Sequence, residues 1–329
     1  MSARPPMAWP RLGLMVAWGS VGLSLVAAPW IAAAPTAWLL VPWALSVLVL
    51  GLPHGALDPF VPFRMSRTAL TAVRLGVFCV AYLGLGVVVV ALWMLAPVAA
   101  AVGFIALTLA HWGQGDVFFL RAMGWDRHLA SGPHLVLAGA VRGALPMGVP
   151  LAAQPEAYAA VLGGLGRLFE PSTEADVVAS AVSASSAAQV GLAVLFGGYV
   201  LWGAVSAARR GAWRSLALDL GEVAVLTVFF AVLPPLWSVG VYFCAWHALR
   251  HLARLEPVVS PRQPGRFALL ATPFTLGALV LFALGGWLLV ERPEAGDLLA
   301  IYLVGIASVT VPHVLVVAWM DVRQAVWRV

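Results

Sequence analysis

Leu236-Trp237-Ser238-Val239-Gly240-Val241-Tyr242-Phe243-Cys244-Ala245-Trp246, running straight into His247-Ala248-Leu249-Arg250-His251, decides what kind of chain this is. The run up to Trp246 holds one serine and no charge, which is the composition of a segment kept from water. Two histidines four residues apart follow it. On a helix they share a face, with Cβ atoms about 5–6 Å apart, and one metal ion bridges that span when both imidazoles bind it at roughly 2 Å. Ionisable groups inside a membrane are costly and mark functional positions. The stretch therefore reads as a membrane helix that carries a site.

The rest of the chain agrees with the membrane reading. Of its 329 residues 62% are hydrophobic and 10% charged, and the mean hydropathy is +0.95, beyond what a soluble domain tolerates. An all-α, polytopic membrane helical bundle follows, as one integral-membrane domain over residues 1–329. Apolar runs long enough to span number about ten, within a range of 8–10: 12–33, 37–57, 74–95, 98–120, 131–150, 187–207, 216–233, 236–255, 267–290 and 298–320. The first run follows Arg4 and Arg11 and resembles a signal peptide, but it is long and a second run follows at once, so it reads as a retained span. Cys79 and Cys244 both lie inside apolar runs, which offers neither a disulfide framework nor a CxxC metal site.

Every basic residue is an arginine, the net charge is +5 and the pI is near 9.9. Their placement points away from nucleic acid. Arg64, Arg67, Arg74, Arg121, Arg127, Arg209, Arg210, Arg214, Arg250, Arg254, Arg262, Arg266, Arg323 and Arg328 all follow or end even-numbered spans, or end the chain. The positive-inside rule makes that face, and both termini, cytoplasmic in the inner (plasma) membrane. The other face holds Arg167 and Arg292 among Glu156, Glu170, Glu174, Asp176, Glu291, Glu294 and Asp297. Its one long connection, about 151–186, is mainly acidic. Within it Ala157–Phe169 is too short to span and is expected on the membrane surface.

Depth then groups the histidines. At about 1.5 Å per residue, His54, His111, His247, His251 and His313 lie about 17–25 Å below the outer ends of their spans. Five of the seven histidines thus share a layer in the cytoplasmic half. His128 and His134 read as ordinary polar positions. Asp58, four residues after His54, either accepts the ring N–H that a metal leaves free or ends the span at the interface, and Asp116 is a candidate for ordering a water or a metal-bound ring. His313, in the same layer, is a further ligand, a group behind a ligand, or a residue facing the substrate. An all-imidazole set suits iron, copper or zinc. With no nucleotide motif and no soluble domain, the expected substrate is apolar and enters from the lipid. Trp112, Phe118, Phe119, Tyr242, Phe243 and Trp246 are the candidate tunnel lining. Arg142, inside span five, requires an anionic partner or a cavity.

Gly51-Leu52-Pro53-His54-Gly55-Ala56-Leu57-Asp58, His111-Trp112-Gly113-Gln114-Gly115-Asp116 and Trp246-His247-Ala248-Leu249-Arg250-His251 together resemble the Brp/Blh family of membrane β-carotene 15,15'-dioxygenases. The likeness implies Fe(II) held by four histidines, here His54, His111, His247 and His251. It implies cleavage of the central double bond of β-carotene with O2 to give two molecules of all-trans-retinal. A retinal-binding rhodopsin as recipient is likewise implied by resemblance alone. The competing reading is a histidine-lined metal-ion or proton transporter. Against it, two histidines share one helix and no ionisable residues continue a path through the outer half.

Overall fold

The computed structural model describes residues 7, 9–169, 173–289 and 295–328. Arg4, Glu170, Glu291, Arg292 and Glu294, used above to orient the chain, lie outside the described residues. Every regular element among the described residues is helical. α1 is Pro10–Val26. α2, Thr36–Met65, is broken into short pieces that include Val41–Leu48, Gly51–Gly55, the 3-10 turn Asp58–Phe60 and Val61–Met65. Prolines at 42, 53, 59 and 62 explain the breaks, because each removes a backbone donor and crowds the preceding turn. There follow α3 (Ala72–Leu95), α4 (Pro97–Met123), α5 (Gly132–Ala153), α6 (Pro155–Arg167), α7 (Thr173–Arg210) and α8 (Trp213–Val232).

The opening stretch is one continuous helical run in three parts. α9 (Pro235–Val241) passes into a π-helical segment, Tyr242–Ala248, and then into α10 (Leu249–Val259). α11 (Pro264–Leu289) and α12 (Ala295–Arg323) complete the chain.

Among the described residues eight helical segments are long and apolar enough to cross a membrane, and this is a membrane protein by that measure. The two further expected spans take other forms. Span one is the shorter apolar helix Arg11–Val26, followed by the separate short helix Ala28–Ala32. Span eight is the α9–π–α10 run, whose second half carries Arg250, Arg254 and Glu256. Those arginines are buried at 4% and 1% exposure, so they are internal groups and not face-marking charges.

The acidic connection also differs from expectation. Residues 155–167 form α6 with Tyr158, Ala159, Gly163, Leu165 and Gly166 buried, and α6 packs against α7, α12, α4 and α5. One side of it packs onto the bundle because its apolar side chains cover helix faces that would otherwise stand open. The Ser/Ala-rich run after it is helical and lengthens α7. α4 and α5 cross at backbone contact: a Cβ on Gly113 would lie 1.9 Å from the Gly139 carbonyl, and one on Gly143 1.9 Å from that of Leu109. Only glycine fits there.

Candidate metal centre and its cavity

His54 comes from the broken α2, His111 from α4, His247 from the π segment, His251 from α10 and His313 from α12, and all five are buried. Their rings form one cluster. Centroids are 4.9 Å apart for His54 and His313, 4.9 Å for His313 and His111, 4.8 Å for His111 and His247, and 5.6 Å for His247 and His54. His251 lies 5.1 Å from His313 and 5.5 Å from His54. The π segment brings His247 in one turn before His251, the rings stacked at 11°. Such wide turns recur at functional sites. Gly115 leaves room for the His247 ring, which a Cβ there would meet at 3.4 Å.

Several rings are held from behind. His54 Nδ1 pairs with the Gly51 carbonyl. His111 Nδ1 stands 3.4 Å from Gln114 Oε1, and Gln114 Nε2 donates to Asp321 Oδ2 at 2.8 Å. His313 Nδ1 stands 2.7 Å from Asp58 Oδ2, which also accepts from Tyr82 at 3.0 Å. Asp58 thus orients His313 rather than His54, its neighbour in sequence, because the 3-10 turn after His54 turns the carboxylate toward α12.

The Nε2 atoms of His111, His247, His251 and His313 are buried with no hydrogen-bond partner. Four unpaired imidazole nitrogens in one place would be costly without a ligand. Ligand atoms of His54, His111 and His247 lie within 4.8 Å of one another, as do those of Asp58, His251 and His313. Each of the two groups could hold a metal ion.

Asp116 faces elsewhere. Its carboxylate is 3.2 Å from Arg142 Nη1 and 3.0 Å from Arg250 Nη1. Arg142 also reaches Asp219 at 2.5 Å and Glu222 at 3.1 Å, and Arg250 reaches Glu222 at 2.7 Å. This ionic layer supplies the anionic partners that Arg142 requires. His128, expected to be an ordinary loop histidine, is fully buried and 2.9 Å from Asp219 Oδ2. His134 stacks on Trp202 at 4.7 Å. Sequence reading missed Asp219 and Glu222, although two acids three apart inside an apolar helix share a face and are the kind of signal that marks buried function.

A cavity of about 960 Å³ opens beside the cluster, lined by His54, His111, His247 and His313 and otherwise mainly apolar. Of the six aromatic residues expected to line a tunnel, Trp112 and Phe243 do so. The other four face the ionic layer. Phe119 and Trp246 sandwich the Arg250 guanidinium at 3.6 and 3.9 Å, Phe118 lies under Arg254 at 4.1 Å, and the Tyr242 hydroxyl is 3.4 Å from Asp116. Their ring faces compensate buried cations.

From the histidines the cavity runs outward along α12 from His313 to Ile301, about 18 Å at the helical rise. There α6 closes it with Tyr158, Leu162 and Leu165. Trp93 stacked on Phe169 at 5.9 Å, and Arg167 bonded to Asp297 at 3.1 Å, fix the end of α6 to the outer ends of α3 and α12. Leu83 and Val87 of α3 and Gly277, Val280 and Leu281 of α11 both line the cavity and are exposed. The cavity is therefore open sideways, toward the lipid.

Comparison with known proteins gives the context. The chain is 37% identical to a probable β-carotene 15,15'-dioxygenase, Blh, of Halobacterium salinarum, covering 98% of this chain and 96% of the relative. A probable β-carotene 15,15'-dioxygenase, Brp, of the same species is 28% identical over 87% of this chain and 85% of its own length. A β-carotene 15,15'-dioxygenase of uncultured marine bacterium 66A03 is 23% identical over 85% of this chain and 94% of its own length. No solved structure matches. The profile of the β-carotene 15,15'-dioxygenase family matches residues 45–321, from within the broken helix to the aspartate that holds Gln114, and the chain belongs to that family.

Proposed function

We propose that this protein is an Fe(II)-dependent dioxygenase of the plasma membrane that cleaves the central double bond of β-carotene with O2, giving two molecules of all-trans-retinal. The observation that carries the reading is the junction of a buried imidazole cluster with an apolar cavity open toward the lipid. At about 960 Å³ the cavity is at the upper end of the ~300–1,000 Å³ typical of small-molecule sites. The names of the relatives supply the substrate and the bond.

His54, His111, His247 and His251 would hold the iron, and bound iron would supply the electron that lets O2 react with a polyene. The chain's own groups do the rest. Trp112 and Phe243, stacked at 6.0 Å beside the histidines, present flat apolar faces to a conjugated chain. The arm between the histidines and α6 accepts one half of the molecule, and the slot between α3 and α11 leaves room for the other half. No Asp, Glu or Arg is among the residues that line the cavity. Water is poorly held there, and an ion pathway would lack a station beyond the histidines. That favours the enzyme over the transporter.

The test is expression in a β-carotene-producing bacterium beside a His247→Ala control, with pigment extraction. Loss of orange colour with retinal formed, and neither in the control, supports the assignment. Unchanged β-carotene in both, with protein present in the membrane, removes it.

A further inference from the structure

The arrangement of the rings says more than that five histidines are close. His54, His313, His111 and His247, taken in that order, form a closed square with sides of 4.9, 4.9, 4.8 and 5.6 Å. Adjacent rings are steeply inclined, at 90°, 82°, 73° and 89°. His251 is near all four corners, at 5.1 Å from His313, 5.5 Å from His54, 6.4 Å from His247 and 6.5 Å from His111. Distances that even are incompatible with a fifth place in the same plane. His251 stands above the square as an apex.

The cavity identifies the other side. All four corner histidines line it and His251 does not. His251 instead borders, together with the corner residue His247, a small void behind the cluster that Gly115, Asp116, Phe118, Arg250 and Arg254 also line. The apex therefore points into the protein and the open face of the square points into the cavity.

We propose that His313 is a ligand of the same metal ion as the other four, so that five imidazoles form a square pyramid with one remaining direction, toward the substrate cavity. This rests on the metal-dependent reading above and extends its four-histidine set. Two features of His313 single it out as more than a neighbour. Its Nε2 is buried without a partner. Its Nδ1 faces Asp58 at 2.7 Å, and a carboxylate behind an imidazole fixes the ring orientation and the tautomer whose inward nitrogen is free to bind. Asp58 is itself held by Tyr82. A square with His313 missing would open one side toward α12 and present two adjacent directions. With His313 in place, only the approach from the cavity is left.

The measurement is the iron content of the purified full-length protein, together with the electron paramagnetic resonance of its Fe(II) form exposed to nitric oxide. The signal reports ligand number and symmetry without substrate or turnover. His313→Ala should lose most of its iron, and the iron that remains should give an altered signal. Asp58→Asn, which keeps all five rings, should retain the signal with affinity for Fe(II) lower by about 10- to 100-fold. Should His313→Ala fail to accumulate, His313→Gln, which keeps the bulk and removes the imidazole, takes its place, because the Asp58 carboxylate is near enough to His251 and His313 to bear on iron binding directly. Wild-type iron content and an unchanged signal in His313→Ala, or unaltered affinity in Asp58→Asn, would overturn the fifth ligand and leave the four-histidine reading standing. A wild-type protein without iron would overturn both.

Discussion

Arg250 Nη1 lies 3.0 Å from Asp116 Oδ1, and this ion pair ties α10, which carries His251, to α4, which carries His111. The second guanidinium arm reaches Glu222 of α8 at 2.7 Å, so one side chain joins three helices. Both carboxylates also touch Arg142. Replacing Arg250 by Met would leave these acids with an incomplete set of partners in a buried site, a change that typically costs about 3–5 kcal/mol. A lower thermal unfolding midpoint in detergent is expected, with loss of iron, and an unchanged midpoint would show that the pair does not hold the helices.

Gln114→Leu should act more gently. It removes the acceptor behind His111 Nδ1 and the donor to Asp321, while Asp321 keeps Arg254 at 2.6 Å and Trp327 at 2.7 Å. Iron affinity is expected to fall by about 10-fold, at the low end for groups behind a ligand, with the fold intact. Competition with a chelator measures it.

Two glycines in one motif should respond in opposite ways. Gly113→Ala forces its methyl onto the Gly139 carbonyl, and with backbone on both sides the cost should reach about 3 kcal/mol, the top of the usual overpacking range. Gly115→Ala meets only the His247 ring edge at 3.4 Å and gains up to about 1 kcal/mol of helix propensity. Thermal denaturation of the two variants separates them; equal losses would contradict the close crossing of α4 and α5.

Leu162→Trp shortens the arm that ends at α6. Turnover of β-carotene should drop by about 10-fold or more, the scale on which apolar pockets discriminate size. A carotenoid already shortened at one end should be spared. The ratio of the two rates is the readout, and a parallel loss on both substrates would mean that α6 does not bound the substrate.

The membrane character and the histidine layer were legible because both depend on local pattern. Apolar runs state their own environment, and a fixed rise per residue converts sequence position into depth. That conversion alone places His313 with His54, His111, His247 and His251. Direction around a helix axis was harder. Asp58 was assigned to His54 by its spacing of four, but the prolines that break α2 redirect it to His313. Phe118 and Tyr242 are close in sequence to the histidines yet face the ionic layer. Arg250 and Arg254 counted as face charges because a buried arginine and an interfacial one look alike until Asp116, Glu222 and Asp321 are seen beside them. α6 was too short to be a span, and nothing local said that it would cap a cavity.

The sideways opening between α3 and α11 changes what concentration means for this protein. A molecule that arrives through that slot is dissolved in the bilayer, so saturation should follow its mole fraction in lipid and not its amount per volume of suspension. Diluting the same β-carotene with additional phospholipid should slow the reaction even when the total content of the tube is held constant.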